Sequence, residues 1–231
     1  MEPNPRINVI IPARGGSKGI PRKNLKPFNG KPLLVHSIDY GLACKAVCGV
    51  YVSTEDAEIA EVATGSGARV IQRPAEIAGD TATTESAIAH ACEVWDEQEA
   101  SPDIIVLLQA TSPLRPAGSL EEAIRHFLTS GCDSLLSLSP THRFFWRIRD
   151  GVTTAEYDFA HRPRRQDLQS EDIRYVENGS LYLFTRDAFL ASGNRLSGRI
   201  GHITFPEEYS YEIDTEADFA VMEALAHQLE L

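Results

Sequence analysis

The sequence predicts an α/β fold, a Rossmann-like, doubly wound and mostly parallel sheet. Short apolar runs rich in Ile, Val and Leu lie at Ile7 to Ile11, Val50 to Ser53 and Asp103 to Gln109, and amphipathic stretches separate them. Near-continuous apolar strands that alternate with helices are typical of parallel strands buried on both faces. The 231 residues suit one such domain with a substantial core. We therefore expect a single domain over residues 1–231.

The helices and the remaining strands follow from the same patterning. Helices are expected at about Leu33 to Lys45, Asp56 to Thr64, Glu85 to Glu97 and Leu120 to Ser130. Ser119 with Glu122 predicts a capping box at the start of the last of these, and Gly131 predicts its end. GSLYLF and GHITF predict further core strands. Thr215 with Asp218 predicts the cap of a final helix that reaches about Leu229.

The pattern changes after Leu138, where aromatic and basic residues become frequent and helical periodicity is weak. We expect an inserted, β-rich lobe over Thr141 to Tyr175. Within this lobe, Phe144, Phe145 and Trp146 form an apolar patch. Such patches on a small lobe tend to be covered by other parts of the protein or by a partner. These rings pack either on a second subunit or on the lobe's own sheet, and both arrangements stay open.

Charge is distributed unevenly along the chain. The formal net charge of −11 and the pI of about 5.1 argue against a general nucleic-acid binder. Between Pro3 and Ile38, however, there is no Asp or Glu, and seven cations occur: Arg6, Arg14, Lys18, Arg22, Lys23, Lys26 and Lys31. A basic segment in an acidic protein predicts a local site for a small polyanion.

The cysteines and the N-terminus indicate a cytoplasmic protein. Cys44, Cys48, Cys92 and Cys132 show neither CxxC spacing nor a nearby histidine cluster, so we expect buried thiols in a reducing compartment rather than zinc ligands. The opening MEPNPR lacks the apolar core of a signal peptide. Apolar runs stay short of the roughly 18 residues that cross a bilayer, so no membrane association is expected.

The first strand leads directly into a glycine-rich basic turn, IIPARGGSKGIPRKN, at Ile10 to Asn24. Glycines let the backbone approach a ligand closely, and successive free amides form an anion-binding concavity. The turn lies at the carboxyl end of a strand, where open α/β sheets bind ligands, and it suits a triphosphate. It matches neither GxxxxGK[ST] nor GxGxxG, so a P-loop ATPase or a classical dehydrogenase is not supported. For a generic turn of this kind, a solvated basic loop is the alternative.

Five stretches resemble, in order, the motifs of the acylneuraminate cytidylyltransferases, also called CMP-sialic acid synthetases. They are IIPARGGSKGIPRKN, VSTEDAEIA, RPAEIAGDTATT, LLQATSPLR, and ENGSLY with YEIDTEADF, and together they cover roughly Ile7 to Met222. The resemblance implies a fold of the nucleotide-diphospho-sugar transferase type with an inserted dimerisation lobe, and hence a homodimer. It also implies transfer of CMP from CTP to the anomeric hydroxyl of a nonulosonic (sialic) acid, with Mg²⁺ as cofactor.

The resemblance assigns the nucleotide contacts to two of these stretches. In the glycine-rich turn, the equivalents of Arg14, Lys18 and Lys23 hold the triphosphate. Fixed cations there can stabilise both the transferring phosphoryl group and the departing pyrophosphate. The full set that the resemblance implies for the nucleotide is Ala13, Arg14, Gly16, Ser17, Lys18, Lys23, Asn24, Arg73, Ala82, Thr83 and Thr84. Arg73 and the residues from Ala82 to Thr84 match the contacts to cytosine and ribose.

The acceptor sugar is assigned to residues after the strand that ends near Gln109 and to residues of ENGSLY. Amides and hydroxyls suit a polyhydroxylated ligand, and an arginine can pair with its carboxylate. The implied residues are Gln109, Thr111, Ser112, Arg115, Arg165, Asn178 and Tyr182. Alone, Thr111 and Ser112 also fit a strand end before Pro113, and Asn178-Gly179 fits a turn. Arg164 is the neighbouring alternative to Arg165.

Two carboxylates near the C-terminus predict the metal site. Glu212 and Asp214 are two residues apart, so in an extended segment both point to one face while Ile213 points to the other. Mg²⁺ prefers one or two carboxylates together with substrate phosphates and water. Acidic residues before the Thr215 cap also fit helix-entry chemistry. The family usually has Asp in place of Glu212. The side chain of Glu212 is one carbon longer, so it binds the metal either directly or through water, and Asp214 is the better-supported ligand.

The implied reaction is an in-line attack of the anomeric hydroxyl on the α-phosphorus of CTP. Arg14, Lys23 and Asp214 are the candidate catalytic residues, and charge neutralisation and positioning supply most of the catalysis. Asp214 and a metal-bound hydroxide are the hypotheses for the general base. The alternatives are a cytidylyltransferase for legionaminate, pseudaminate, KDN or KDO, or a non-catalytic nucleotide-sugar binding protein. NRLSG, at Asn194 to Gly198, replaces aromatic residues of some relatives and leaves the N-acyl preference open.

Overall fold

The computed structural model describes residues 4–169 and 172–229. The strands are β1 Ile7–Pro12, β2 Pro27–Phe28, β3 Lys31–Pro32, β4 Gly49–Thr54, β5 Arg69–Gln72, β6 Ile104–Leu108, β7 Ser134–Thr141, β8 Trp146–Arg149, β9 Val152–Ala155, β10 Arg174–Thr185 and β11 Ile200–Thr204. The helices are α1 Leu33–Ala43, α2 Ala57–Gly65, α3 Thr84–Glu97, α4 Ser119–Ser130, α5 Arg186–Ser192 and α6 Glu216–Gln228. All the predicted helices and core strands are present, with most ends shifted by one or two residues, whereas β10 begins five residues before the predicted GSLYLF run.

A seven-stranded sheet forms the centre, in the order β11-β7-β10-β6-β1-β4-β5. β10 runs antiparallel to its neighbours β6 and β7. The other neighbouring pairs are parallel. This arrangement confirms the predicted mostly parallel sheet.

Helices cover both faces of this sheet because its strands are apolar on both sides. In β1, Val9 and Ile11 pack with α1, α2 and α4 in one core cluster. Ile10, which points the other way, packs with α3 and α5 in a second cluster around Trp95. All three of these β1 side chains are fully buried. The doubly wound layering is therefore confirmed.

The ends of α4 and α6 test the capping predictions. Gly118, in the left-handed region at φ 73°, precedes α4 without a side-chain cap, so the predicted Ser119–Glu122 capping box is wrong. Ser119 instead lies inside the helix, and its hydroxyl donates to the Pro116 carbonyl at 2.6 Å. Gly131 ends α4 in the left-handed region, as predicted. At α6 the capping box of Thr215 and Asp218 is confirmed.

A third apolar cluster packs α6 against the glycine-rich turn. It includes Ile20 of the turn, Ile213, and Phe219 and Met222 of α6, each almost fully buried. The glycine-rich turn and the segment around Ile213, which lies 190 residues after Lys23, thereby belong to the same part of the hydrophobic core. This packing fixes the turn relative to the Glu212–Asp214 segment.

The predicted lobe contains one β8–β9 hairpin between β7 and β10. Its turn places Asp150 and Gly151 at positive φ, as two-residue hairpin turns require. Phe144 packs within the lobe on Tyr157, with ring centroids 4.4 Å apart. Trp146 also contacts Tyr157, yet it remains 51% exposed. Residues 170–171 of the predicted lobe lie outside the described residues.

The four cysteines are free thiols. Cys44, Cys92 and Cys132 are buried as expected, whereas Cys48 is exposed, so the expectation was wrong for that residue. Burial raises the pKa of Cys92 to about 11, which keeps this thiol protonated. Across the described ranges, none of the helices combines the length and the apolarity needed to span a membrane.

Candidate functional site

A cleft of about 320 Å³ opens where the parallel strands β1 and β6 end. Residues from four separate stretches of the chain line it: Pro12, Arg14, Gly16, Ser17, Lys23, Asn24, Thr84, Gln109, Ala110, Thr111, Glu212 and Asp214. The structure thus brings the glycine-rich turn, the residue that begins α3, the end of β6 and the two carboxylates to one place. Most of these lining residues were predicted from the sequence.

The glycine-rich turn closes on itself and against the Asp214 backbone. Asn24 donates from its side-chain amide to the Arg14 carbonyl at 3.0 Å, which joins the two ends of the turn. A Cβ atom on Gly19 would lie 2.0 Å from the Asp214 carbonyl oxygen. A side chain there would force the two segments apart, so Gly19 permits the contact that brings cations and carboxylates together.

Lys23 is the cation at the centre of this contact. Its ammonium donates to the Ile213 carbonyl at 2.7 Å and to Asp214 Oδ1 at 3.1 Å. Its side chain is only 11% exposed, whereas that of Asp214 is 67% exposed. Lys23 is therefore held rigidly, and Asp214 keeps a solvent-facing carboxylate that can take a further ligand.

Glu212 and Asp214 both line the cleft, while Ile213, which lies between them in sequence, is fully buried, as the alternating pattern predicted. Burial, and then the charges of Asp214 and Glu177, raise the pKa of Glu212 to about 7. A Cβ atom on Gly179 would lie 1.8 Å from Glu212 Oε1, so a glycine is needed beside it. Close carboxylates in a partly buried site favour a bound cation.

Arg14 and Lys18, predicted for the triphosphate, share one acidic partner that the sequence analysis did not select. Asp80 pairs with Arg14 at 3.2 Å and with Lys18 at 3.0 Å. Arg14 also donates to the Gly79 carbonyl at 2.9 Å. Lys18 does not line the cleft, and its side chain is 73% exposed. The loop before α3 is thereby drawn onto the glycine-rich turn.

The residues predicted for cytosine and ribose have mixed surroundings. Thr84 lines the cleft, while Thr83 caps α3 by accepting from the Ser86 amide at 3.1 Å. Arg73 is buried and donates to the hydroxyl of Ser53 at 3.1 Å and to its carbonyl. Ala13, also buried, and Ala82 lie outside the cleft lining.

The residues predicted for the acceptor sugar separate into two groups. Gln109 and Thr111 line the cleft, whereas Ser112, Arg115, Asn178 and Tyr182 are almost fully buried and do not line it. Arg115 donates to the carbonyls of Gln109 and Ser180 and to the hydroxyl of Ser37, and it stacks on Tyr40. This arrangement differs from the expected pairing with a sugar carboxylate, because backbone groups take its donors.

Asn178 and Tyr182 are buried in β10 and do not line the cleft. The Asn178 side chain accepts from Ser137 at 2.6 Å and donates to Ser139 at 3.2 Å. Both residues belong to the bulged stretch of β10, where its register with β7 shifts between Glu177 and Tyr182. The bulge carries Gly179 at positive φ, so the predicted turn signal marks a strand irregularity.

Arg165 lies in the lobe and outside the cleft lining. Its side chain is 71% exposed, and its guanidinium is 3.7 Å from Glu207. Arg164, the alternative, pairs with Asp167. Within one chain, the structure does not bring either arginine to the cleft.

Sequence reasoning also missed Pro12, Ala110 and Asp80. Pro12 ends β1 and Ala110 lies just after the end of β6, and these positions bring both residues to the cleft. Asp80 stood within the quoted RPAEIAGDTATT stretch, and an acid facing an acid-free basic segment was the signal that could have found it. The sequence alone did not reveal that the loop containing Asp80 contacts the glycine-rich turn.

Comparison with known proteins gives sequence matches along nearly the whole chain. A family model described as "Cytidylyltransferase" matches residues 8–230. N-acylneuraminate cytidylyltransferase A of Danio rerio is 35% identical over 94% of this chain and 50% of its own length. The N-acylneuraminate cytidylyltransferase of Streptococcus agalactiae serotype V is 29% identical over 91% of this chain and 51% of its own. The chain thus spans about half the length of the curated relatives it matches.

Solved structures match the fold at low sequence identity. A CMP:2-keto-3-deoxy-manno-octonic acid synthetase complexed with CTP has a TM-score of 0.70 and 19% identity, and the match covers 98% of this chain and all of that one. A 4-diphosphocytidyl-2C-methyl-D-erythritol synthase has a TM-score of 0.69 and 14% identity, over 96% and 99% of the two chains. These likenesses support the Rossmann-like architecture described above.

Proposed function

Since the chain belongs to the cytidylyltransferase family, we propose that it transfers CMP from CTP to the anomeric hydroxyl of a nonulosonic (sialic) acid. In this reaction a bond forms between the anomeric oxygen and the α-phosphorus. The bond from that phosphorus to the oxygen that bridges it to the β-phosphate breaks, and pyrophosphate leaves. The hydroxyl gives its proton to a general base, for which Asp214 is the candidate on the chain. The N-acylneuraminate cytidylyltransferases of Danio rerio and Streptococcus agalactiae carry this acceptor class in their names.

One observation carries the proposal: the cation of Lys23 and the carboxylates of Glu212 and Asp214 meet in the cleft that Arg14 also lines. Phosphoryl transfer needs little covalent chemistry from a protein, and fixed cations stabilise the charge that develops on the phosphates. Arg14 and Lys23 would neutralise the triphosphate tail from the glycine-rich turn. Gln109 and Thr111, which also line the cleft, would offer an amide and a hydroxyl to the acceptor.

Mg²⁺ is the proposed metal, and Glu212 and Asp214 would hold it. Their surroundings fit a cation, because the neighbouring charge of Asp214 helps to raise the pKa of Glu212 and the Asp214 carboxylate remains exposed. Within residues 4–169 and 172–229, no group of three or more His, Cys, Asp or Glu could hold a metal by itself. Mg²⁺ in nucleotide enzymes commonly takes one or two carboxylates and completes its shell with phosphates and water. When bound, it would supply positive charge to the phosphate oxygens.

A homodimer through the lobe is also part of the proposal. Ile148 is 71% exposed, Phe159 is 67% exposed and Trp146 is 51% exposed, so the lobe presents an apolar surface. Such patches on soluble proteins mark interaction sites. In the homodimer that the resemblance implies, the lobe of one subunit would reach the neighbour's site, which would let Arg165 act there.

A pyrophosphate-release assay tests the proposal. The purified chain would be incubated with CTP, Mg²⁺ and, one at a time, N-acetylneuraminate, legionaminate, pseudaminate, KDN and KDO. Release with N-acetylneuraminate, and not with UTP in place of CTP, is expected. Release with another acid alone would correct the acceptor. No release with any acid, despite binding of CTP, would favour a non-catalytic binding protein.

A further inference from the structure

An acidic segment contacts the glycine-rich turn without lining the cleft. It comprises Glu55, Asp56 and Glu58, at the end of β4 and the start of α2, and we call it the β4–α2 acids. The Gly15 amide donates to Glu55 Oε1 at 2.7 Å. A Cβ atom on Gly15 would lie 2.4 Å from Asp56 Oδ2. The first part of the turn is therefore in direct contact with these acids.

The other end of the turn is fastened to the same acids through Arg22. The Arg22 guanidinium bonds to both oxygens of Asp56 and to Glu58. Arg22 has φ 55° and ψ 31°, a left-handed conformation that is unfavourable for a residue with a side chain. It immediately precedes Lys23, whose backbone begins a short 3-10 turn. The ion pairs therefore hold in place the backbone that aims Lys23 into the cleft.

Glu55 has an environment that packing alone does not explain. Its Oε2 atom is buried, and no hydrogen-bond partner for it occurs in the described part of the chain. A buried polar atom without a hydrogen-bond partner destabilises the folded state, so its presence in a native protein requires an explanation. Burial lowers the pKa of Arg73, and the nearby Glu55 charge opposes this shift, so the carboxylate and Arg73 interact electrostatically. Yet a negative charge behind a polyanion site also repels the ligand.

We propose that Glu55 is a positioning residue for the phosphate-binding turn. It holds the Gly15 amide in place and, together with the Arg22–Asp56 pair, sets the separation between Arg14 and Lys23. The benefit is a turn that is already formed when the triphosphate arrives, so that less ordering is needed on binding. This inference rests on the proposed use of CTP. Glu55 does not line the cleft and would not touch the substrate.

The test compares Glu55→Ala, Glu55→Gln and the control Glu61→Ala, which lies on the exposed face of α2. Glutamine keeps an oxygen that can accept from the Gly15 amide but removes the charge. We expect Glu55→Ala to raise the KM for CTP about five- to tenfold, the size of one lost hydrogen bond, with the KM for the acid within about twofold. Glu55→Gln should restore the wild-type KM for CTP, and Glu61→Ala should not change it.

Three kinetic results would overturn the inference. The first is an unchanged KM for CTP in Glu55→Ala, and the second is a Gln variant as impaired as the Ala variant, which would assign the effect to charge. The third is an equal rise in both KM values, which would indicate a general loss of structure. A wild-type protein that does not bind CTP in calorimetry would refute the proposed function instead.

A ligand-free measurement keeps the positioning claim testable in that case. Hydrogen exchange of peptides covering residues 13–23 should be faster in Glu55→Ala than in the wild type, and should return to the wild-type rate in Glu55→Gln. Thermal unfolding identifies a variant that has simply lost its fold. Arg22→Gly provides a second perturbation, because glycine accepts the left-handed backbone while the ion pairs are lost. It should speed exchange in the same peptides, and unchanged exchange in both variants would refute the inference.

Discussion

Replacing Lys23 by Met separates its structural and catalytic contributions. The substitution keeps the apolar stem and removes the ammonium, so the Ile213 carbonyl and Asp214 lose a donor. One hydrogen bond contributes about 1 kcal/mol to the free energy of unfolding, and the pair with the exposed Asp214 adds about 0–1 kcal/mol. The expected destabilisation is therefore about 1–2 kcal/mol. Because small domains have about 5–15 kcal/mol of stability, the variant should remain almost fully folded.

The expected loss of activity is larger than this destabilisation. Removing a fixed group that stabilises developing charge typically lowers kcat by about 100- to 1,000-fold. Pyrophosphate release at saturating CTP and acid measures kcat, and thermal unfolding measures the stability. Lys26→Met is the matched control, since Lys26 also forms an ion pair, with Glu216, but does not line the cleft. If kcat for Lys23→Met stayed within about fivefold of the control, the proposed charge stabilisation would be refuted.

Three further predictions concern acidic residues. Asp214→Ala should abolish turnover while circular dichroism stays unchanged; activity at ordinary Mg²⁺ would remove it from the metal site. Asp80→Asn should bind CTP severalfold more tightly in calorimetry, because the triphosphate no longer competes with a carboxylate for Arg14 and Lys18; weaker binding would show that Asp80 helps the ligand. The Arg22 hydrogen bond lowers the pKa of Asp56 below its ordinary 3.8, so this carboxylate stabilises the fold above about pH 4, and the stabilisation is lost as pH falls through the lowered pKa. The stability gap between the wild type and Asp56→Asn should therefore close in acid, and a gap independent of pH would contradict it.

The fold was predictable because its signals are local. Val9, Ile10 and Ile11 are all buried, and a continuous apolar run of this kind already predicts a strand covered on both faces. The Thr215–Asp218 box needs only residues three apart, and it was confirmed. The cap of α4 was wrong because the backbone at Gly118 turns left-handed, so the helix begins one residue earlier than the Ser119 signal implied.

The candidate site was only partly predictable because burial depends on distant partners. The family resemblance assigned a site role to Arg115 as readily as to Arg14, yet Arg115 is enclosed by carbonyls from β10 and from Gln109, just after β6. Those carbonyls lie 65 and 6 residues away, and no short motif encodes their approach. The same holds for Asp80, whose pairing with Arg14 depends on how the loop before α3 folds over the glycine-rich turn.

The charge pairs of the cleft suggest why metal and nucleotide would bind together. Lys23 pairs with Asp214, and Arg14 pairs with Asp80, so carboxylates neutralise both of these cleft cations. A free triphosphate would take the cations and leave the carboxylates unpaired, and a free metal ion would do the reverse. A metal–triphosphate complex carries both charges, so it would offer new partners to Lys23 and to Asp214 at once. Each component would therefore lower the electrostatic cost of binding the other, which would be a positive coupling between the two proposed ligands.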